Sequence, residues 1–166
     1  MADKHHLYVL ALGSNRAVSA RLTPARLLGE AVGLLGAQAV VVAISPIIQT
    51  PPLGPSIRLY ANAAILVRSA LPPPRMLHLV QSIESRLGRR RHRRWGARSM
   101  DIDIILWSGG RWRSRSLTIP HPSWLERDFV LRPLEAVAPR WRDPWSGRTV
   151  RQSRAVLRKP KGATRG

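Results

Sequence analysis

Cysteine is absent from this chain, and long apolar runs are absent as well. Without thiols there is neither a disulfide framework nor a thiolate metal site, which excludes zinc fingers, zinc ribbons and disulfide-rich secreted modules. The longest apolar stretches, such as Ala37 to Pro46, are far below the roughly 20 residues that a membrane-spanning helix needs. No charged-then-apolar leader opens the sequence. We therefore expect a cytoplasmic protein that is not embedded in a membrane.

Two familiar nucleotide-binding signatures are also missing. The sequence has no G-x-x-x-x-G-K-[ST] pattern and no G-x-G-x-x-G pattern. This excludes a P-loop, a protein-kinase glycine loop and a Rossmann turn. If the chain binds a nucleotide, side chains and metal ions must hold its phosphates.

Acidic residues are scarce. The chain has 9 Asp and Glu residues against 28 Lys and Arg residues, which gives a formal charge of +19. The excess is mainly arginine, whose planar fork matches phosphate in a bidentate way. The charge suits nucleic acid and nucleotide phosphates equally well. A solvated, arginine-rich surface without any ligand is the third interpretation.

The 166 residues and 44% hydrophobic content are enough for one domain with a single core. We assign residues 1–150 to that domain. Residues 151–166 are basic and contain Gly and Lys, and we expect a disordered tail there.

The order of predicted elements is strand, helix, strand, strand, helix, strand. Thr23-Pro24 supplies a helix start, and Gly88 ends the second helix. Pro46 lacks a backbone donor and should mark an edge or a bulge in the long strand expected between Ala39 and Thr50. This is the βαββαβ pattern of an α+β, ferredoxin-like sandwich, in which helices pack on an antiparallel sheet. The predicted ranges are 7–12, 60–67 and 100–107 for the other strands, 24–36 and 76–87 for the two helices, and 129–137 for a further helix.

Asp101 and Asp103 are the sharpest local signal. In a strand, period two places both carboxylates on one face, while Met100, Ile102, Ile104 and Leu106 share the other. Mg²⁺ binds through one or two carboxylates together with substrate phosphates, and a pair of ions can clamp the oxygens of a phosphoryl transfer. The alternative is an exposed pair of strand carboxylates that are bound to arginines.

A basic segment, Arg89 to Arg98, precedes the two aspartates. Its arginines repel one another and should become ordered around an anion. Trp95 within it can stack on a base or a pterin-like ring, or can anchor the segment by packing.

The motifs together resemble the 6-hydroxymethyl-7,8-dihydropterin pyrophosphokinase family over roughly Leu7 to Pro139. The central similarity is the segment from Arg94 to Ile105, R-W-G-A-R-S-M-D-I-D-I-I. Further similar motifs follow in the same order along the chain: Gly13-Ser14-Asn15, Thr50 to Pro55, Tyr60 to Ala64, Gln81 with Glu84, Gly88-Arg89, and Leu117 to His121. The chain departs from the family pattern at Ala97, Ser116 and Pro122.

The resemblance implies transfer of pyrophosphate from ATP to the hydroxymethyl group of the dihydropterin, with release of AMP, in folate biosynthesis. Two Mg²⁺ ions would bind Asp101 and Asp103, and Arg89 and Arg98 would stabilise the charged phosphates. ATP would be bound by Gln81, Glu84, Arg91, His92, Trp95, Arg98, Ile104, Thr118, His121 and Arg127. The pterin would be bound by Thr50, Pro52, Leu53, Tyr60, Asn62, Trp95 and Phe129. A monomer is expected.

Two other functions remain open from the residues alone. A basic nucleic-acid-binding protein without catalytic activity fits the charge and the segment from Arg89 to Arg94. A metal-dependent nuclease or nucleotidyltransferase fits the aspartate pair. Neither requires the pterin-side residues.

Overall fold

The computed structural model describes residues 4–14, 23–50, 60–88, 100–160 and 162. Within them the chain forms seven strands, four α-helices and a short 3-10 helix, Trp124–Glu126. The strands are β1 His6–Ser14, β2 Val40–Ile44, β3 Ile48–Thr50, β4 Tyr60–Ser69, β5 Asp101–Trp107, β6 Trp112–Arg113 and β7 Thr118–Ile119. The helices are α1 Pro24–Gly36, α2 Pro73–Leu87, α3 Asp128–Val137 and α4 Val150–Arg158.

The main sheet has the strand order β2-β4-β1-β5, and β3 pairs with the remaining length of β4. Each of these pairings is antiparallel. With β2 and β3 counted as one interrupted strand, the sequence prediction of a ferredoxin-like βαββαβ sandwich is confirmed.

Helix α1 begins where its sequence signals predict. The Thr23 hydroxyl accepts a hydrogen bond from the Arg26 N–H at 3.4 Å, and Pro24 occupies the first turn, where a missing N–H costs nothing. The helix buries Leu27, Leu28, Ala31 and Leu35, and α2 buries Met76, Val80 and Ile83. Both helices therefore cover one face of the sheet.

The two faces of the sheet belong to two apolar clusters. The first joins α1 and α2 to the sheet and includes Tyr8, Ile102 and Ile104. Burial raises the pKa of the Tyr8 hydroxyl, which remains neutral and donates to the Leu71 carbonyl at 2.5 Å. The second cluster places Leu131 and Leu134 of α3 against the opposite face of the sheet.

The single strand expected between Ala39 and Thr50 is two strands. Ser45 to Ile47 interrupt it, and the Ser45 hydroxyl accepts from the Ala64 N–H at 2.8 Å in place of a regular backbone partner. Pro46 cannot donate to a ladder, which explains the interruption.

Leu106 does not share the face of Ile104, contrary to the sequence prediction. In the pairing with β1, Leu10 lies opposite Ile104 and Val9 lies opposite Leu106, which leaves Ile105 as an extra residue. This β-bulge shifts the alternation, so Ile105 and Leu106 both pack in the second cluster.

The prediction of a disordered tail is wrong for residues 151–158, which form most of α4. Thr149 and Gln152 form a capping box at its start, and Val150 and Ser153 are buried. A capping box satisfies two orphan backbone donors, and the burial adds a small apolar anchor. The predicted helix at 129–137 is confirmed as α3.

Candidate active site

Asp101 and Asp103 lie on the face of β5 that does not pack against α1 and α2. Ile102 and Ile104 between and after them are buried in the first cluster, whereas Asp101 is partly buried and Asp103 is exposed. The period-two prediction for the two carboxylates is thus confirmed. Of the two, Asp103 is the more accessible to a ligand.

A polar row runs across the sheet from Asp101. Gly13 of β1 pairs with Asp101 on one side and with Asn62 of β4 on the other. Since neighbouring strands are about 4.8 Å apart, Asn62 and Asp101 are separated by about 10 Å across Gly13. A Cβ atom on residue 13 would lie 3.3 Å from the Asn62 Oδ1 atom, so glycine lets the amide lie close to β1.

The Asn62 side chain is held from its other end. Its Nδ2 atom donates to the Thr50 hydroxyl at 2.9 Å, and Asn62 is only 8% exposed. Thr50 pairs with Tyr60 in the β3–β4 ladder. Three residues predicted to bind a pterin are therefore adjacent, and the amide has a fixed orientation.

Glu84 reaches the outer edge of β5 from α2. Its Oε1 atom accepts the Ile102 N–H at 2.8 Å. This backbone N–H lies between the two aspartates in sequence, so Glu84 fixes the strand segment that carries them. Gln81 is exposed one turn earlier on the same helix.

His121 lies against the same edge of β5. Its backbone N–H donates to the Ile105 carbonyl at 3.1 Å, at the bulge. Its Nδ1 atom accepts the Ser123 N–H at 3.4 Å, which leaves Nε2 as the ring donor in neutral histidine. Thr118, in β7, is exposed just before it.

Arg127 and Phe129 flank the first residue of α3. The Arg127 guanidinium carbon lies 5.9 Å from the centroid of the Phe129 ring, within cation–π range. Arg127 is exposed and Phe129 is partly buried. A cation and a ring face are thus presented together.

Ile104 differs from the other predicted ATP-binding residues. Its side chain is buried in the first cluster at 3% exposure, so only its backbone remains for a ligand. The predictions for Pro52, Leu53, Arg89, Arg91, His92, Trp95 and Arg98 fall outside the described residues.

Sequence reasoning missed two features of the site. The sequence predicts Thr50 only as a pterin-binding residue, whereas its hydroxyl also orients Asn62. Arg154 of α4 was placed in the tail, yet it contacts Asp128 between Arg127 and Phe129. No local pattern marks either contact, because both join residues that are distant in the chain.

The donor chemistry at β5 fits magnesium. Among residues 4–14, 23–50, 60–88, 100–160 and 162, no cluster of three or more His, Asp or Glu side chains could hold a metal ion. Mg²⁺ does not need such a cluster, since it commonly takes one or two carboxylates and completes its shell with water and substrate phosphates. Asp101 and Asp103 provide this set.

The fold is an α+β, ferredoxin-like sandwich with a carboxylate pair on the strand β5. A family model for 7,8-dihydro-6-hydroxymethylpterin-pyrophosphokinase (HPPK) matches residues 9–139. The chain belongs to this family.

Curated relatives agree with the family match. The chain is 38% identical over 136 residues to the 2-amino-4-hydroxy-6-hydroxymethyldihydropteridine pyrophosphokinase of Bacillus subtilis, covering 80% of this chain and 78% of that protein. It is 41% identical over 118 residues to the protein of the same name from Methylorubrum extorquens, covering 70% and 73%. For the Synechocystis protein of that name the identity is 42% over 93 residues, but the match spans 56% of this chain and about half, 48%, of the relative.

Solved structures agree on the fold. A Plasmodium falciparum HPPK-DHPS structure superposes with a TM-score of 0.75 at 14% identity, covering 93% of this chain and 44% of the longer one. The comparisons do not support the nucleic-acid-binding alternative. No helix in the described part of the chain is long and apolar enough to cross a membrane.

Proposed function

We propose that this chain transfers the pyrophosphoryl group of ATP to the hydroxyl of 6-hydroxymethyl-7,8-dihydropterin in folate biosynthesis, giving AMP and the dihydropterin diphosphate. The single observation that carries the proposal is the polar row Asn62–Gly13–Asp101. In this row Asn62, which suits a heterocycle, lies about 10 Å from Asp101, which suits a metal ion and phosphate. This spacing matches a small flat substrate that carries, at one end, the hydroxyl group to which the pyrophosphoryl group is transferred.

The pterin side consists of Thr50, Tyr60, Asn62 and Phe129, with Pro52, Leu53 and Trp95 added from the family resemblance. A carboxamide both donates and accepts, so Asn62 can read a pair of ring groups on a pterin. Thr50 fixes which end of the amide is presented. Tyr60 and Phe129 supply ring faces.

Asp101 and Asp103 would hold two Mg²⁺ ions. When bound, the ions supply charge neutralisation for the phosphates and a fixed geometry for the attacking and leaving oxygens. Glu84 keeps the backbone between the two carboxylates in place through its 2.8 Å bond to Ile102. The strand segment that carries them is therefore held by α2 as well as by β1.

The ATP side lies along the outer edge of β5, with Gln81, Glu84, Thr118 and His121 on the elements that line it. The His121 Nε2 atom is left as the ring's donor by the Ser123 contact, and the Arg127 guanidinium is a cationic donor. Arg89, Arg91, His92 and Arg98 would add phosphate donors from the basic segment, as the family resemblance implies. These groups bind the triphosphate without a P-loop.

The chemistry requires no covalent nucleophile. Phosphoryl transfer depends mainly on positioning and on stabilisation of the charge that spreads over the transferred group. The hydroxymethyl oxygen attacks the β-phosphorus, the bond to the α-phosphate oxygen breaks, and the hydroxyl proton leaves to a nearby base. We assign Asp103, the more exposed of the two carboxylates, as the base that accepts this proton. We propose that the protein acts as a monomer.

The decisive experiment supplies purified protein with ATP, MgCl₂ and 6-hydroxymethyl-7,8-dihydropterin and separates the nucleotides. AMP should form only when the pterin is present. Formation of ADP, or nucleotide release that ignores the pterin, would rule out the proposed reaction.

Asp101→Ala and Asp103→Ala should each lower kcat by at least about 100-fold, because each removes a metal ligand that stabilises charge in the transition state. Turnover and thermal unfolding are measured together. Glu30→Ala, an exposed carboxylate on α1, is the matched control and should leave both unchanged. Near-normal turnover in either aspartate variant would contradict the metal-ligand assignment.

A further inference from the structure

Helix α4 lies beyond residues 9–139, the segment matched by the family, and it is tied to the start of α3. The tie is Arg154. Its Nε atom donates to the Asp128 Oδ1 atom at 3.0 Å, and its Nη1 atom donates to the Glu135 Oε2 atom at 2.6 Å. One guanidinium thus spans the first and the eighth residue of α3.

Arg154 is less exposed than its neighbour Arg151. Its side chain is 18% exposed and those of its partners Glu135 and Asp128 are 25% and 49% exposed, whereas Arg151, one turn earlier, is 68% exposed and lies 3.5 Å from the Glu135 Oε1 atom. Solvent therefore screens the pair with Glu135 less than the pair with Asp128, and both less than the pair of Arg151. The two carboxylates raise the pKa of Arg154, led by Glu135, so its charge is constant over the working pH range. Arg151 is therefore a natural control for Arg154.

The start of α3 has no side-chain cap of its own. Arg127 occupies the N-cap position without a capping hydrogen bond, and its carbonyl accepts the N–H groups of Val130 and Leu131. Asp128 follows it, next to the positive end of the helix dipole, and its carboxylate is the group that Arg154 holds. Phe129 comes immediately after. The contact therefore fixes the residue between two side chains of the candidate site.

Helix α4 has its own anchors. The capping box of Thr149 and Gln152 starts it, and the Val150 N–H donates to the Trp141 carbonyl at 2.9 Å. Val150 is fully buried. Helix α4, which carries Arg154, is therefore held in place by contacts other than those with α3.

We infer that Arg154 is a positioning residue for substrate binding, which acts from outside the family's shared segment by holding Asp128 and so setting the placement of Arg127 and Phe129. The substrates named in this inference rest on the proposed function. Arg154 is not among the residues proposed to contact either substrate, and its role is to position those that do.

The test compares Arg154→Gln with Arg151→Gln in the full chain. Steady-state kinetics give kcat and the KM for ATP and for 6-hydroxymethyl-7,8-dihydropterin. Arg154→Gln should raise the KM for at least one substrate by about three- to tenfold with a smaller change in kcat, because coupled contacts of this kind shift equilibria by that order. Arg151→Gln should stay within about twofold of the wild type.

A double-mutant cycle with Asp128→Asn separates positioning from general stability. The double variant Arg154→Gln/Asp128→Asn should raise KM no more than Arg154→Gln alone, since both changes break one contact. If Arg154→Gln fails to fold, Arg154→Lys and Asp128→Asn carry the same comparison. Additive effects on KM, or equal effects of Arg154→Gln and Arg151→Gln, would overturn the inference.

Amide hydrogen exchange supplies a readout that does not need turnover. Val130 and Leu131 should exchange faster in Arg154→Gln than in Arg151→Gln, because their acceptor at Arg127 loses its support. Unchanged exchange there would also overturn the inference. Failure of the wild-type protein to form AMP would contradict the proposed function instead, and the exchange result would still stand on its own.

Discussion

At the scale of single residues, the candidate site depends on how Asn62 is held. A carboxamide can present either its oxygen or its nitrogen, and a buried amide that is left unpaired is costly. Thr50 takes one Nδ2–H, and Gly13 leaves space for the oxygen. The asparagine is therefore oriented before a substrate arrives, which lowers the cost of binding.

Removal of the Thr50 hydroxyl tests this orientation. Thr50→Val keeps the side-chain shape but lacks the acceptor, and the loss of one hydrogen bond, about 1 kcal/mol, should raise the KM for the pterin about fivefold. The KM for ATP should change less than twofold, and kcat/KM for both substrates is the measurement. Thr50→Ser retains a hydroxyl and is the control. Equal increases in both KM values would show that Thr50 does not act through pterin recognition.

At this scale the sequence predicted residue types better than contacts. Period two correctly placed Asp101 and Asp103 on one face, because alternation is a local property of a strand. Thr50 and Asn62, or Arg154 and Asp128, meet only when the sheet and the helices pack. Such pairs cannot be found from spacing alone.

At the scale of elements, β5 has its outer edge held by groups from two directions. Glu84 of α2 accepts from Ile102, and the His121 N–H donates to Ile105. Together they fix the strand on both sides of Asp103. Two elements outside the sheet, α2 and the segment after β7, thus hold the strand that carries the two carboxylates.

Glu84 gives a prediction about this edge. Glu84→Leu removes the acceptor for the Ile102 N–H and should lower kcat/KM about tenfold and raise the Mg²⁺ concentration needed for half-maximal rate. Glu84→Gln keeps a carbonyl oxygen and should lose less than about threefold. Rates are measured across a MgCl₂ titration. If the glutamine variant is as poor as the leucine variant, the charge matters and the backbone bond does not.

The elements also show where prediction from sequence works and where it stops. The N-cap and first-turn signals at Thr23 and Pro24 found α1, since capping is local. The tail prediction failed because composition suggested disorder, while α4 is stabilised by a capping box and by Arg154 on α3. The interruption at Ser45 to Ile47 follows from Pro46, but the Ser45 contact to Ala64 required the sheet.

At the scale of the whole molecule, the charge of +19 is the dominant property. Mutual repulsion of like charges destabilises a compact chain. Among the described residues, Arg151 and Arg154 form ion pairs with Asp128 and Glu135. The 28 Lys and Arg residues outnumber the 9 Asp and Glu residues by 19, so a large positive excess is available to attract polyphosphate, which is consistent with a nucleotide substrate.

Salt should therefore stabilise the protein. Screening lengths fall from about 30 Å at 0.01 M to about 8 Å at 0.15 M ionic strength, so KCl over this range should raise Tm by about 2–4 °C, equivalent to about 1 kcal/mol. Scanning calorimetry without nucleotide measures it. A variant with the exposed Arg132, Arg140, Arg148 and Arg158 changed to Gln should show a smaller rise. A fall in Tm with salt would mean that ion pairs outweigh repulsion.

The bulge at Ile105 determines which face of the sheet the end of β5 presents. Regular alternation would place Leu106 with Ile102 and Ile104 in the first cluster, whereas the extra residue turns it to the face that carries Asp101 and Asp103. The second cluster therefore receives two adjacent apolar side chains, Ile105 and Leu106, from the strand that carries the carboxylates. One strand thus supplies the aspartates at its start and an apolar anchor for α3 at its end, on a single face of the sheet.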